Sequence, residues 1–186
     1  MTVVHAQLSR LVSRVLRHEP WVYELELDPE GWVSLPELLD AVHLSGPRWA
    51  GVSREDLQEM VQSSAKRRHE IDGDRIRALY GHSTPGRIMR EEADPPELLF
   101  HGTSPTVWAD IRTDGLRPMG RQYVHLSTDV AAAREVGCRK SPTPVVLTVH
   151  AKTAHDHAGV HFWQGNEQVW LADFVPAKFI ASGSPG

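Results

Sequence analysis

Two kinds of residue in this chain have chemistry to offer. The first kind is a pair of histidine–hydroxyl sets, His101 with Thr103 and His125 with Ser127, each set in a strand-like stretch. If both sets face one cleft they can hydrogen-bond a single polar ligand, with Arg121 at that cleft's edge. The second kind is cationic. Residues 61–90 carry Lys66, Arg67, Arg68, Arg75, Arg77, Arg87 and Arg90 against Glu70, Asp72 and Asp74, a small basic face suited to a few phosphates. Taken singly, each has a plain reading as well. Gly102 marks a turn, a lone strand histidine satisfies its neighbours, Arg68 pairs with Glu70 or Asp72, and Arg121 pairs with Asp114. Lys66 and Arg67 are solvated charges, and Arg17 and His18 cap the first helix, where last-turn cations meet the dipole.

The elements that must position these groups can be read from periodicity. Leu8, Leu11, Val12, Val15 and Leu16 recur at helical spacing, with Arg10, Arg14 and Arg17 on the other face and Pro20 ending the run after His18. Ser34 with Glu37, and Ser53 with Asp56, open two further helices as capping boxes. Residues 68–79 read as a β-hairpin turning at Asp72-Gly73. Residues 86–96, GRIMREEADPP, lack apolar period and end in paired prolines, which makes them the linker.

Beyond it, residues 100–127 predict strand, helix, strand, with Ser104 and Pro105 opening the helix and Gly115 ending it. Asp129 or Thr128 caps an alanine-rich helix stopped by Gly137, and Cys138 then packs inside. Val145 to Val149 is a β-branched run that predicts a central strand. Val169-Trp170-Leu171, Phe174-Val175 and Phe179-Ile180 supply the last strand pieces, and residues 181–186 should fray. His155, His157 and His161 lie in a loop-like segment, without the helical spacing a zinc motif needs, so no metal is assigned.

At 186 residues and 40% apolar, the chain builds one compact domain or two small lobes. A single cysteine excludes an internal disulfide, and together with the lack of an export signal or membrane span this predicts a cytoplasmic protein. A net charge of −4 argues against nonspecific coating of nucleic acid. No Walker loop, Gly-x-Ser-x-Gly elbow or three-glycine dinucleotide fingerprint occurs.

The motifs in their order carry more than any one of them. Leu16-Arg17-His18, Gly31-Trp32-Val33, Lys66-Arg67-Arg68, Ile76-Arg77-Ala78 with Gly81-His82-Ser83, His101-Gly102-Thr103, Arg121 before Val124-His125-Leu126-Ser127, and Val169-Trp170-Leu171 follow one another along the chain. That series resembles the RNA 2'-phosphotransferase family, the NAD-dependent enzymes of tRNA splicing. The resemblance implies an α+β architecture: a winged-helix RNA-binding lobe over residues 1–90, followed by an ADP-ribosyltransferase-like, NAD-binding mixed β lobe over residues 96–186. It also implies a catalytic set of Arg17, His18, Arg68 and Arg121. The cofactor residues it implies are His101, Gly102, Thr103, His125, Ser127 and Asn166. The sequence departs from the family pattern at His69, where an aromatic is expected, at Tyr80 and Tyr123, and at Arg139-Lys140-Ser141.

The reaction so implied has two steps. An internal RNA 2'-phosphate attacks the nicotinamide ribose of NAD, and the ribose 2''-hydroxyl then attacks the transferred phosphate. The products are 2'-OH RNA, ADP-ribose 1'',2''-cyclic phosphate and nicotinamide. Three arginines converging on one phosphate suit that chemistry, since guanidinium groups are planar, always charged and able to bind two oxygens. The expected partner is a tRNA-like RNA bearing a 2'-phosphate, the expected state a monomer. Two other readings remain at this stage: NAD-dependent ADP-ribosylation of terminal phosphates of RNA or DNA, and a nucleic-acid-binding module without turnover.

Overall fold

A computed structural model describes residues 5–183, and the chain divides between Met89 and Arg90 into two compact units. Among the described residues it is a mixed α/β protein with six α-helices and two antiparallel sheets.

The N-terminal unit opens with α1 (His5–Arg17), whose Leu8, Val12, Val15 and Leu16 are fully buried while its arginines lie on the opposite side. A 3-10 turn, Pro20–Tyr23, leads to β1 (Trp32–Ser34) and α2 (Leu35–Leu44). Ser34 caps α2 by accepting from the Glu37 amide at 3.3 Å. Its hydroxyl also donates to the Glu37 carboxylate at 2.7 Å. At α3 (Arg54–Gln62) the capping box is complete, Ser53 Oγ taking the Asp56 amide and Asp56 returning a bond to the Ser53 amide. The hairpin β2 (His69–Asp72) and β3 (Arg75–Ala78) follows. β1 adds to it in the order β1-β3-β2, a strand too short to show in the sequence, so the three-helix-plus-hairpin pattern gains a third strand. One apolar core joins α1, α2, α3 and this sheet.

The C-terminal unit is built on a six-stranded sheet. Its strands and helices are β4 (Leu98–Thr103), α4 (Pro105–Asp114), β5 (Val124–Ser127), α5 (Val130–Cys138), β6 (Val145–His150), α6 (Ala151–Ala158), β7 (Phe162–Gln164), β8 (Val169–Ala172) and β9 (Ile180–Ser182). The sheet order is β7-β8-β5-β4-β6-β9. The main core lies on the α4 and α6 face, around Leu99, Ile111, Leu147 and Phe162. α5 covers the other face through Phe100, Ala133 and Val146.

Several expectations are corrected here. Gly102 is no turn residue: it lies inside β4, and a Cβ there would stand 1.8 Å from the Ala133 carbonyl oxygen of α5. Its bare α-carbon is what lets the helix cross. Gly137 is the opposite half of that crossing, and α5 runs past it to Cys138, which is exposed. Ala181 and Ser182 belong to β9, paired to β6, whereas residues 184–186 lie outside the described residues. Phe174-Val175 forms only a one-residue bridge, Val175 to Leu116. His155 and His157 lie on α6, a helix whose Ala151 and Ala154 are buried in the main core.

Candidate phosphate and dinucleotide sites

In the N-terminal unit an open cavity of about 400 Å³ is lined by Ala6, Ser9, Arg10, Ser13, Arg14, Arg17, His18 and Arg68. The small residues Ala6, Ser9 and Ser13 recur along α1 and leave the floor low, while the arginines form its walls. Among the described residues that line it there is no carboxylate. Three of the four residues implied as catalytic, Arg17, His18 and Arg68, are therefore neighbours around one space.

Each is held from a different direction. Arg17 Nη2 donates to the Arg68 carbonyl at 3.2 Å, and its guanidinium lies 5.0 Å from the centre of the Tyr80 ring. Gly81, at φ +90°, gives way beside it: a Cβ there would sit 3.3 Å from Arg17 Nη1. The Ser83 amide donates to the Arg17 carbonyl, and the Ser83 hydroxyl is 2.8 Å from His18 Nδ1, so one residue fixes both members of the Arg-His pair. Arg68 Nη1 reaches Ser64 Oγ at 3.3 Å. It forms no ion pair with Glu70 or Asp72, because Glu70 is taken by Arg67 and Arg77, and Asp72 by Arg75.

Behind this wall His69 is buried, 2% exposed, with Nε2 3.0 Å from Ser13 Oγ. Burial, with the positive charges of Arg17 and Arg68, pushes its pKa down to about 3. A neutral imidazole can lie between two guanidiniums where an imidazolium would be repelled, so the cavity stays strongly positive and receptive to an anion. At its outer side Arg14 pairs with Glu19 at 2.7 Å.

Two further residues of the motif series, Arg77 and His82, make contacts within the N-terminal unit. Arg77 pairs with Glu70 at 2.7 Å and Glu30 at 3.6 Å and stacks on Trp32 at 4.3 Å, fastening β3 to β1. His82 is 4% exposed and packs against Gly31.

Arg121 belongs to the C-terminal unit, exposed at the end of a turn in which its amide bonds the Pro118 carbonyl. The sequence-level pairing with Asp114 does not form among the described ion pairs. Close by, β4 and β5 pair only at Phe100 with Ser127 and then part. Across that parting His101 Nδ1 donates to the His125 carbonyl at 2.9 Å, in place of a continued ladder. His125 Nδ1 donates to the Tyr123 carbonyl at 3.0 Å. In the neutral form each imidazole then has Nε2 as its acceptor nitrogen. Burial lowers the His101 pKa, which keeps that nitrogen unprotonated.

The pleat places the two histidines differently from the one-cleft expectation. With Phe100 opposite Ser127, His125 and Ser127 share the α5 face, whereas His101 and Thr103 project with Leu99 toward the main core. What they have in common is the border of the parting. Thr103 is 1% exposed, and Asn166 spends its Oδ1 on the Gln168 and Val169 amides of its own turn, at 2.8 and 2.7 Å.

Sequence reasoning gave Ser13 and Ser64 no role, and it named Tyr80 only as a departure from the family pattern and Gly81 only as part of the Gly81-His82-Ser83 motif. Among the described residues Asp94, His155 and Asp156 bring ligand atoms within 4.8 Å of one another, but Lys152 Nζ already bridges the two carboxylates at 2.7 and 3.0 Å.

Comparison with known proteins adds to this geometry. The family model described as "RNA 2'-phosphotransferase, Tpt1 / KptA family" matches residues 4–174. A "Probable RNA 2'-phosphotransferase" of Bacillus thuringiensis subsp. konkukian is 52% identical over 177 residues, 95% of each chain. Its namesake in Acetivibrio thermocellus is 49% identical, covering 95% of this chain and 96% of that one. One from Streptomyces griseus subsp. griseus is 42% identical over 94% of each.

Proposed function

The chain belongs to the RNA 2'-phosphotransferase family, and on that premise we propose that it removes an internal 2'-phosphate from RNA by transfer to NAD. The products are 2'-OH RNA, ADP-ribose 1'',2''-cyclic phosphate and nicotinamide. The observation that carries this reading is the cavity in which Arg17, His18 and Arg68 stand together with no carboxylate among the described residues that line it. In water such a cluster is costly, and a bound phosphate is the natural counter-charge.

Arg17 and Arg68 bind phosphate oxygens, and a guanidinium keeps its charge whatever happens at the phosphorus. His18, oriented by Ser83, binds a further oxygen and is the set's candidate for moving a proton. Arg121 is the fourth member of the set. It meets the charge that builds up as the cyclic phosphate closes, electrostatic work that needs no divalent ion.

Residues of the C-terminal unit fit NAD by the chemistry of their donors and acceptors. Two neutral imidazoles, each offering Nε2 as an acceptor, suit ribose hydroxyls, and β4 and β5 part beyond the Phe100–Ser127 pair that lies next to them in sequence. Gly102 and Thr103 shape β4, and Asn166 shapes the turn before β8. When bound, NAD supplies an electrophilic ribosyl carbon and a leaving nicotinamide. The unit before it, three helices with a hairpin and a third strand, is assigned as a winged-helix RNA lobe, and tRNA-like splice junctions are the natural substrate class.

The test is incubation with NAD and a short RNA carrying one internal 2'-phosphate. Loss of the 2'-phosphate, with nicotinamide and the cyclic phosphate appearing together, is the expected result. ADP-ribose persisting on a terminal phosphate, or RNA binding with no nicotinamide released, overturns it in favour of the two other readings.

A further inference from the structure

Three residues after His18 the chain presents an aromatic ring to solvent. Trp21 is 57% exposed and Val22 59%, and they are neighbours on the 3-10 turn Pro20–Tyr23. The turn is rigid. Pro20 is buried, Tyr23 packs on the N-terminal core, Glu24 closes it at φ 55°, and the Leu25 amide returns to the Pro20 carbonyl at 3.0 Å. At its start the Val22 amide bonds the Glu19 carbonyl, and Glu19 in turn holds Arg14 on the cavity's outer side.

A tryptophan kept wet by a fixed backbone is unlike the scattered Leu44 or Met89, single aliphatic side chains of the kind any surface carries. Its position decides what it would meet. Three residues span at most about 11 Å, so Trp21 stands within a nucleotide or two of anything that His18 holds by its phosphate. Trp21 and Val22 together make an apolar spot far smaller than a protein interface core, and it is bordered by the charged pair Arg14–Glu19. A flat ring beside a cationic pocket is the pairing by which single-stranded nucleic acid is gripped, base on ring and phosphate on arginine.

We propose that Trp21 stacks on the base of a nucleotide next to the one carrying the 2'-phosphate, making the enzyme select unpaired RNA at that position. The inference rests on the reading of the Arg17–His18–Arg68 cavity as the phosphate site.

The experiment uses the full chain and short RNAs bearing one internal 2'-phosphate, with the flanking nucleotide on the 5' or the 3' side either intact or abasic. For the wild type, one abasic RNA raises KM roughly ten-fold with kcat unchanged. Trp21→Ala raises KM for the intact RNA by a similar factor, and the abasic change then adds nothing. Trp21→Phe restores most of the affinity, Trp21→Leu little, and all three variants melt with the wild type because the ring is exposed. Anisotropy titration of the same RNAs reads the stack as Kd without turnover.

An enzyme that removes the 2'-phosphate normally while Trp21→Ala leaves KM and Kd unaltered overturns the proposal, as do losses that simply add. Trp21→Ala that changes only the sedimentation of the protein assigns the ring to a protein contact and also overturns it. A wild type that removes the 2'-phosphate from none of these RNAs sinks the functional reading, and the Kd comparison still decides the stack.

Discussion

His69 shows how much one buried side chain records about its surroundings. Its folded pKa of about 3 lies well below the ordinary 6.5, so between those values the unfolded chain binds a proton that the native chain refuses. Stability is therefore full above about pH 6.5 and falls as the pH drops toward 3, by up to about 1.4 kcal/mol per pH unit. His69→Phe, which loses the Ser13 contact but cannot be protonated, should flatten that slope. Denaturant melts of the two proteins from pH 7 to pH 4 check it; parallel curves would dissociate the slope from His69. For the cavity itself, Arg68→Ala is expected to slow single-turnover removal of the RNA 2'-phosphate by about 10²–10³-fold, with little recovered by Arg68→Lys, since a point charge lacks the fork. Arg67→Ala, removing an exposed arginine paired with Glu70, should stay within about two-fold. Arg17, His18 and Arg68 were legible because their motifs stand in a recognisable order. Tyr80 and Ser13 were not, since their roles exist only once α1 and the strand-end loop have met.

Among the elements, what was legible was local. Ser34, Ser53, Ser104 and Asp129 each cap the helix they announce, because an N-cap is a contact between residues two or three apart. Register was not legible. Nothing in residues 100–127 says that Phe100 will face Ser127, and that single pairing is what sends His101 and His125 to opposite faces. Gly102 was misread for a related reason: the cause of its missing side chain is α5, which arrives from thirty residues downstream. Gly102→Ala should accordingly cost several kcal/mol, seen as a large drop in melting temperature, because its new methyl meets backbone on a packed helix rather than a flexible tip. A variant melting within a few degrees of wild type would show that α5 can lift from the sheet at little cost.

At the level of the whole chain, each unit has its own apolar core, one around α1, α2 and α3 and the other about the six-stranded sheet. Residues 1–89 made alone are thus expected to unfold in one cooperative transition by circular dichroism. Inorganic phosphate should raise the midpoint through the arginine cavity, and the fragment should release no nicotinamide from NAD. A fragment that melts without a transition would tie its stability to the rest of the chain. The larger sheet has a further property, set by its margins. β7 and β9, its outermost strands, are three residues each, so a second molecule is offered only a stub of unpaired backbone on either side. The β7 margin is covered further by the Glu92–Trp163 bridge and by the Ala93 amide on the Phe162 carbonyl. Such margins are poor templates for fibril growth, and the protein should remain dispersed at concentrations where a long, flat flank would draw its neighbours into ribbons.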